Sequence, residues 1–436
     1  MELVGNFLPN KFLSSGFRKP APCFMSFLSQ NWQLLLFGFL LTFFSCFGQT
    51  IVVSLYVPEF SDAFDLSNTA ISSMYAVATL GSAFLLPWAG RYVDSWPLPR
   101  YTISAIAILL TACLFLSAAA ASWMVLLGFW GLRFGGQGLM THTSASAMVR
   151  GFEVNRGKAL SFSSLGYPAS EAVMPLLIAF AIGAVGWRAA LQWSAGWLLL
   201  VVLPTALWLL RSAPAALKYP RRTIQEGDVE AAKTARNPYR LIRGRLFWLL
   251  SPSLFLLAFI NTAIFFFQIK LGERRGWDPN WVAGSVSAFA LASATGMLLA
   301  GPLVDRLTAR MVFPFFLLPY FLGLLLLAVW QAPIAYPIAL LFLGLSNGMS
   351  SPVKNAVLAE LYGAQIIGSV RSLFTMAVVF STALGPVTFG WLIDRGWSYA
   401  DVLLGSAIAV LLAALWSTRL MGGFTRGRWA AFLRRH

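Results

Sequence analysis

Residues Trp123–Trp187 read WMVLLGFWGLRFGGQGLMTHTSASAMVRGFEVNRGKALSFSSLGYPASEAVMPLLIAFAIGAVGW. Two apolar runs, each long enough to cross a bilayer, flank a short hinge carrying Arg150, Glu153, Arg156 and Lys158. Inside the runs stand Arg133, His142 and Glu171. A charge at the bilayer centre costs about 2.5–3.5 kcal/mol on insertion scales, so such residues are rare and mark function. The rest of the chain reads as a vessel around these polar groups.

The composition agrees. Of 436 residues 58% are hydrophobic and only 11% charged, against roughly 25% charged in soluble domains. Lipid is therefore the expected solvent. The net charge of +16 does not point to nucleic acid, because apolar runs separate the basic residues and no basic stripe forms. Cys23, Cys46 and Cys113 have no metal-ligand spacing and are too few for a disulfide framework. No apolar h-region followed by a small-residue cleavage site opens the sequence, so a cleaved leader is not expected.

A spanning helix needs about 20 mostly apolar residues. Twelve runs qualify. In the first half they are Trp32–Tyr56, Thr69–Ala89, Tyr101–Ala121, Trp123–Val149, Ala159–Val185 and Trp187–Leu210. In the second they are Leu246–Lys270, Trp281–Leu303, Met311–Trp330, Ile334–Leu358, Leu373–Ile393 and Tyr399–Leu420. None alternates at period two as barrel strands do, so the expected class is an all-α membrane protein. The organisation is an N-terminal segment (1–31), a six-helix bundle (32–210), a basic linker (211–245), a second six-helix bundle (246–420) and a basic tail (421–436). With both termini on one side, that side collects 25 of the 32 lysines and arginines, and the opposite side five. The positive-inside rule then makes the termini and linker cytoplasmic.

The halves repeat one another. Gly90-Arg-Tyr-Val-Asp94 answers Gly301-Pro-Leu-Val-Asp305 at an offset of 211, and Gly186-Trp187 answers Gly396-Trp397 at 210. Gly157 answers Gly368 at 211, while Gly131-Leu and Gly135 answer Gly344-Leu and Gly348 at 213. Both halves start on the same side, so the repeats are parallel, as in a rocking transporter with its site between the halves.

On these residues the sequence resembles the major facilitator superfamily over all twelve spans. The signature G-x-x-x-D-R-x-x-x-R after the second span has its echo in Gly301, Asp305, Arg306 and Arg310. The first copy keeps Gly90, Asp94 and Arg100 but has Ser95 where the family has arginine. The resemblance implies that these loops gate the cytoplasmic side. Physically, a helix-end glycine permits close backbone approach, and an aspartate can face a neighbouring helix N-terminus. The superfamily's drug antiporters carry G-x-x-x-G-P in the fifth span; Gly166-Tyr-Pro168-Ala-Ser-Glu171 here does not match. Glu360-Leu-Tyr-Gly363 and Ala383-Leu-Gly-Pro386 are similar to the branch of monocarboxylate and oxalate-type carriers. That branch's eighth-span arginine is missing, so the monocarboxylate assignment is not carried over.

Arg133 lies about 15 Å below the outer end of the fourth span at the helical rise, and Glu171 at a similar depth in the fifth. They are expected to meet near the midplane, as an ion pair or as a triad with a substrate or proton; a static pair that only fixes packing is the alternative. Gln137 and Thr141, at four-residue steps, share the arginine's face, whereas His142 points away and reads as a core histidine or a proton relay. Asn261, Gln268, Gln49 and Asn347 are further candidates for the path, and Lys354 snorkels toward the basic side. Phe265, Phe266 and Phe267 read as lipid-facing or core, and the glycines of the fourth span as contacts between helices.

Without an ATP-binding loop, the proton is the expected driving ion and a buried arginine favours a small organic anion. The expectation is thus a monomeric, proton-coupled secondary transporter of the plasma membrane (a bacterial inner membrane by composition), with no cofactor, metal or nucleic acid. Efflux of lipophilic or cationic compounds against Glu171 is the first rival, and a receptor or assembly factor on the same fold the second. No nucleophile with base, carboxylate pair or metal cluster suggests an enzyme.

Overall fold

The computed structural model describes residues 24–152, 156–211, 242–362 and 367–423. Most of the N-terminal segment, the linker and the tail, together with hinge residue Glu153, lie outside the described residues, and so do the side-chain surroundings of Gly90 and Asp94. The described residues are helical throughout, with no strand among them.

The first span is a broken rod. Helix Phe24–Phe44 gives way to tight turns at Ser45–Gly48 and Ser54–Tyr56 before helix Val57–Phe64. Helices Asn68–Ser95 and Leu98–Ser117 follow, and the fourth span runs from Ser122 to Gly151 through a π-helical stretch, Arg133–Met140. The fifth and sixth spans share one nominal helix, Gly166–Trp197, which folds back at Gly186. The second half supplies Arg245–Phe266, Pro279–Leu307, Leu318–Val329, Ala335–Tyr362, Ile367–Asp394 and Tyr399–Ser417.

Two corners show why the repeat was readable. Gly186 and Gly396 both take positive φ, 78° and 90°, a region open to glycine and strained for other residues. Each therefore turns the chain immediately before its tryptophan. Apolar side chains such as Phe84, Leu200, Leu298 and Val329 stand 71–83% exposed. For a bundle in water these would be a liability; facing lipid they are in their solvent.

By length and apolarity nine described stretches can cross a membrane, one of which, Lys158–Arg211, holds two spans. The fourth and tenth spans fall short of that apolarity, because they carry Arg133, Gln137, Asn347 and a run of glycines and serines. These two are repeat mates, and both face the centre of the molecule.

The glycine match at 213 does not survive. A Cβ on Gly131 or Gly135 would meet Ala112 or Leu109 of the third span, whereas one on Gly344 or Gly348 would meet Phe289 or Ser293 of the eighth. The eighth span is the mate of the second, not of the third. At the offset of 211 Gly344 instead pairs with Arg133, and these two do occupy matching places. Arg133 reaches Thr79 of the second span, and Gly344 abuts Phe289 of the eighth.

Candidate functional site

A cavity of about 170 Å³ lies between the halves. The first half lines it with Gln49, Thr50, Ile51, Arg133, Gln137 and Glu171. The second lines it with Asn261, Thr262, Phe265, Phe289, Asn347 and Thr382. Five of the eight sequence-selected site residues meet here, from spans that are far apart along the chain.

Arg133 is held from three sides and is 2% exposed. Its Nε donates to Thr79 Oγ1 (3.2 Å) and its Nη1 to the Gly48 carbonyl (3.2 Å). The guanidinium sits 5.0 Å from the Tyr75 ring centroid, a contact worth about 0.5–2 kcal/mol. Tyr75 is fixed in turn by its hydroxyl on Thr50 Oγ1 (2.6 Å) and by Phe266, 4.8 Å away between centroids. Tyr75 and Thr79, four residues apart, present one helical face to the arginine. The Gly48 carbonyl comes within reach because first and fourth spans touch at glycines: a Cβ on Gly136 would lie 2.7 Å from Gly48 N. Nη2 donates no hydrogen bond among the described residues, which leaves it as the donor available to the cavity.

Arg133 and Glu171 line the same cavity but are not paired, which corrects the expected direct ion pair. Among the described residues the Glu171 carboxylate makes no hydrogen bond or ion pair. The arginine's positive charge is instead met by a carbonyl, a hydroxyl and a ring, and among the described residues no carboxylate neutralises it. The two charges face a shared space, so a bound solute can mediate between them.

Three selected residues lie elsewhere. Thr141 donates to the carbonyls of Gln137 (2.5 Å) and Gly138 (3.1 Å) and does not line the cavity. The reason is the π-helical stretch, whose wider turn shifts the register by about one residue and breaks the four-residue count. His142 also lies off the cavity, with Nδ1 3.4 Å from Ser146 Oγ. Gln268 is fully buried in the seam between the halves: Nε2 donates to Ile51 O (3.2 Å) and Ser54 Oγ (2.8 Å), and Oε1 accepts from the Tyr336 hydroxyl (3.1 Å). The phenylalanine run is core, not lipid-facing: Phe265, Phe266 and Phe267 are at most 2% exposed, and Phe265 forms part of the cavity wall.

At the loops marked for gating, Arg310 Nε pairs with Glu360 Oε1 at 2.9 Å, within the second half. Asp305, Arg306 and Arg100 are exposed. Nothing lies within 4 Å of a Cβ built on Gly301, so the close approach expected at that glycine is absent here.

A group of hydrogen bonds ties the halves together at the opposite end, away from the basic loops. Asp394 accepts from the backbone N–H (3.3 Å) and side-chain amide (2.8 Å) of Asn68 with Oδ1, and from the N–H (2.7 Å) and hydroxyl (2.6 Å) of Thr69 with Oδ2. It is an N-cap supplied by the other half to the second span. Lys270 adds bonds to Ser61 Oγ (2.8 Å) and Asn68 Oδ1 (2.9 Å). The contact of an aspartate with a helix N-terminus, expected of the gating loops, is made here at the opposite end by Asp394.

The sequence reading missed Tyr75, Thr79, Thr50, Thr262, Phe289 and Thr382. Tyr75 and Thr79 had a signal, a polar pair at helical spacing in an apolar span. The others are single hydroxyls or rings that only the packing singles out.

The Major Facilitator Superfamily model matches residues 38–287 and 255–424. The 3-(3-hydroxy-phenyl)propionate transporter of Escherichia coli (strain K12) is 25% identical over 382 residues, 81% of this chain and 85% of that protein. A Multidrug resistance protein B homolog of Mycobacterium tuberculosis is 32% identical over 136 residues, 30% of this chain; the match spans only 25% of that relative's length. The crystal structure of a bacterial homolog to the human lysosomal transporter Spinster, in an inward-facing and unoccupied conformation, matches with a TM-score of 0.71 at 16% identity. It covers 92% of this chain and 97% of that one, a likeness of fold.

Proposed function

The chain belongs to the Major Facilitator Superfamily, and on that premise we propose that this transporter carries a small organic anion by alternating access, coupled to protons through Glu171. The observation that carries the reading is Arg133: a buried guanidinium with two nitrogens committed to the fold, the third unused, and no carboxylate partner among the described residues. A substrate carboxylate supplies the missing counter-charge, and such charge-assisted bonds are the strong ones. Glu171 across the cavity carries the proton that enters with the anion. The full-length relative from Escherichia coli, named for an aromatic acid, supports this choice.

The halves 32–210 and 246–420 act as the rocking bodies. The Asp394 and Lys270 bonds hold the end opposite the basic loops, which supports an inward-facing reading if the termini lie in the cytoplasm of a bacterial cell. Multidrug efflux, to which the shorter relative points, fits less well: about 170 Å³ is below the roughly 300–1,000 Å³ of sites for drug-sized ligands.

Uptake of radiolabelled organic acids into proteoliposomes tests the reading. Acid uptake that depends on Arg133 and quickens with an inward proton gradient is expected. Gradient-driven movement of lipophilic cations, indifferent to Arg133→Ala and abolished by Glu171→Gln, would replace the anion reading with efflux.

A further inference from the structure

We propose that the site selects monocarboxylates bearing a hydroxyl group, and that Asn261 reads the hydroxyl; this rests on Arg133 as the carboxylate partner.

On the second-half wall most polar groups are spoken for. Thr262 Oγ1 donates to Ala258 O (2.8 Å), Thr382 Oγ1 to Val379 O (2.7 Å), and Asn347 Nδ2 leans on Ser293 Oγ at 3.5 Å. Asn261 is the exception: its Oδ1 is shut from solvent and accepts no hydrogen bond. A buried polar atom left without a partner costs about 1–3 kcal/mol, and folded proteins keep few of them. The Asn261 side chain lines the cavity, and a turn of its amide about the last side-chain bond brings a ligand hydroxyl into reach and removes that cost. The hydroxyl donates to an amide oxygen and accepts from an amide nitrogen, so it satisfies Asn261 at either end.

The other chemistries fit less well. A ligand ammonium would need Glu171 ionised as its partner, whereas in this reading Glu171 carries the proton that enters with the anion, and the ammonium would face only the Arg133 charge. A second carboxylate would find no second cation, since among the described residues Arg133 is the one basic side chain lining the cavity. The ligand is therefore a monoanion with a neutral polar group away from the carboxylate. Between them, Phe265 and Phe289 meet edge to face, 4.7 Å between centroids, and offer an apolar surface for a ring or short chain. The space, about 170 Å³, suits a small acid. Because the carboxylate is held by one half and the hydroxyl by the other, only a ligand with both groups bridges the two.

The test is a thermal-shift titration of the purified full chain with matched acids: benzoate against 3- and 4-hydroxybenzoate, and butyrate against 4-hydroxybutyrate. At least one hydroxy acid should bind ~10-fold or more tightly than its parent, the order expected for filling one buried vacant acceptor. Asn261→Leu should erase that preference, so that in the variant each hydroxy acid binds no more tightly than its parent, and Arg133→Ala should lose both acids. Asn261→Ser, which also removes the amide, serves if the leucine variant does not fold. Equal binding of each pair, still dependent on Arg133, would overturn the hydroxyl selection and leave the anion carrier standing. A preference that persists in both Asn261 variants would overturn the role of that residue. Binding of no acid, or binding indifferent to Arg133, would remove the anion reading and this inference with it.

Discussion

Arg133 and Gly344 stand at matching places in the two halves, and the halves use them in opposite ways. In the second half Gly344, Gly348 and Gly296 bring the eighth and tenth spans into backbone contact: a Cβ on them would lie 2.4, 1.9 and 2.3 Å from the carbonyl oxygens of Phe289, Ser293 and Leu345. In the first half the same seam is held by a charged side chain bonded to Thr79 and resting on Tyr75. One half has sealed the seam; the other keeps a guanidinium in it at the desolvation cost that any buried charge carries. The proposed site sits on this departure from the repeat, at a buried charge of the kind that marks function in membrane proteins.

The largest effect should come from copying one half into the other. Arg133→Gly or Arg133→Ala should lower acid uptake ~100-fold, the range for losing a hydrogen bond to a charged group, with the protein still monodisperse on size exclusion. Next, Gly348→Ala should cost about 1–3 kcal/mol by overpacking, read as a fall in Tm. Full stability in that variant would mean that the glycine seam is not closed as described. Glu171→Gln should keep anion binding while uptake loses its response to a proton gradient; an unchanged response would assign coupling elsewhere. At the clasped end, Asp394→Ala removes a cap worth about 1 kcal/mol and should raise labelling of a cysteine placed at Ser72. The smallest effect belongs to Gly301→Ala. With open space at its Cβ, replacing a helical glycine by alanine should cost nothing and gain up to about 1 kcal/mol.

Much of this was legible in the sequence because the bilayer imposes a simple rule: apolar runs must be helices of spanning length. The same rule makes Arg133 and Glu171 conspicuous, and Gly186 and Gly396 announce their corners. What sequence periodicity could not deliver is the phase of the fourth span. A π-helical stretch beginning at Arg133 shifts every face after it, so Thr141 was placed in the cavity and is not there. Asp394 was invisible for another reason. An aspartate after an apolar run looks like any loop residue until the second span's N-terminus, 326 positions away, is brought against it. Gln268 and Asn261, seven residues apart in one span, look alike in sequence; tertiary packing satisfies the first in a seam and leaves the second with a vacant acceptor.

The most direct test of the central claim is the thermal stability of the purified chain against a panel of organic anions and lipophilic cations. A ligand that binds the folded state stabilises it by about 2.7 kcal/mol at a hundredfold excess over Kd. The expected result is stabilisation by a small carboxylate that disappears in Arg133→Ala while that variant remains folded. Stabilisation by cations alone, lost in Glu171→Gln and retained in Arg133→Ala, would contradict it.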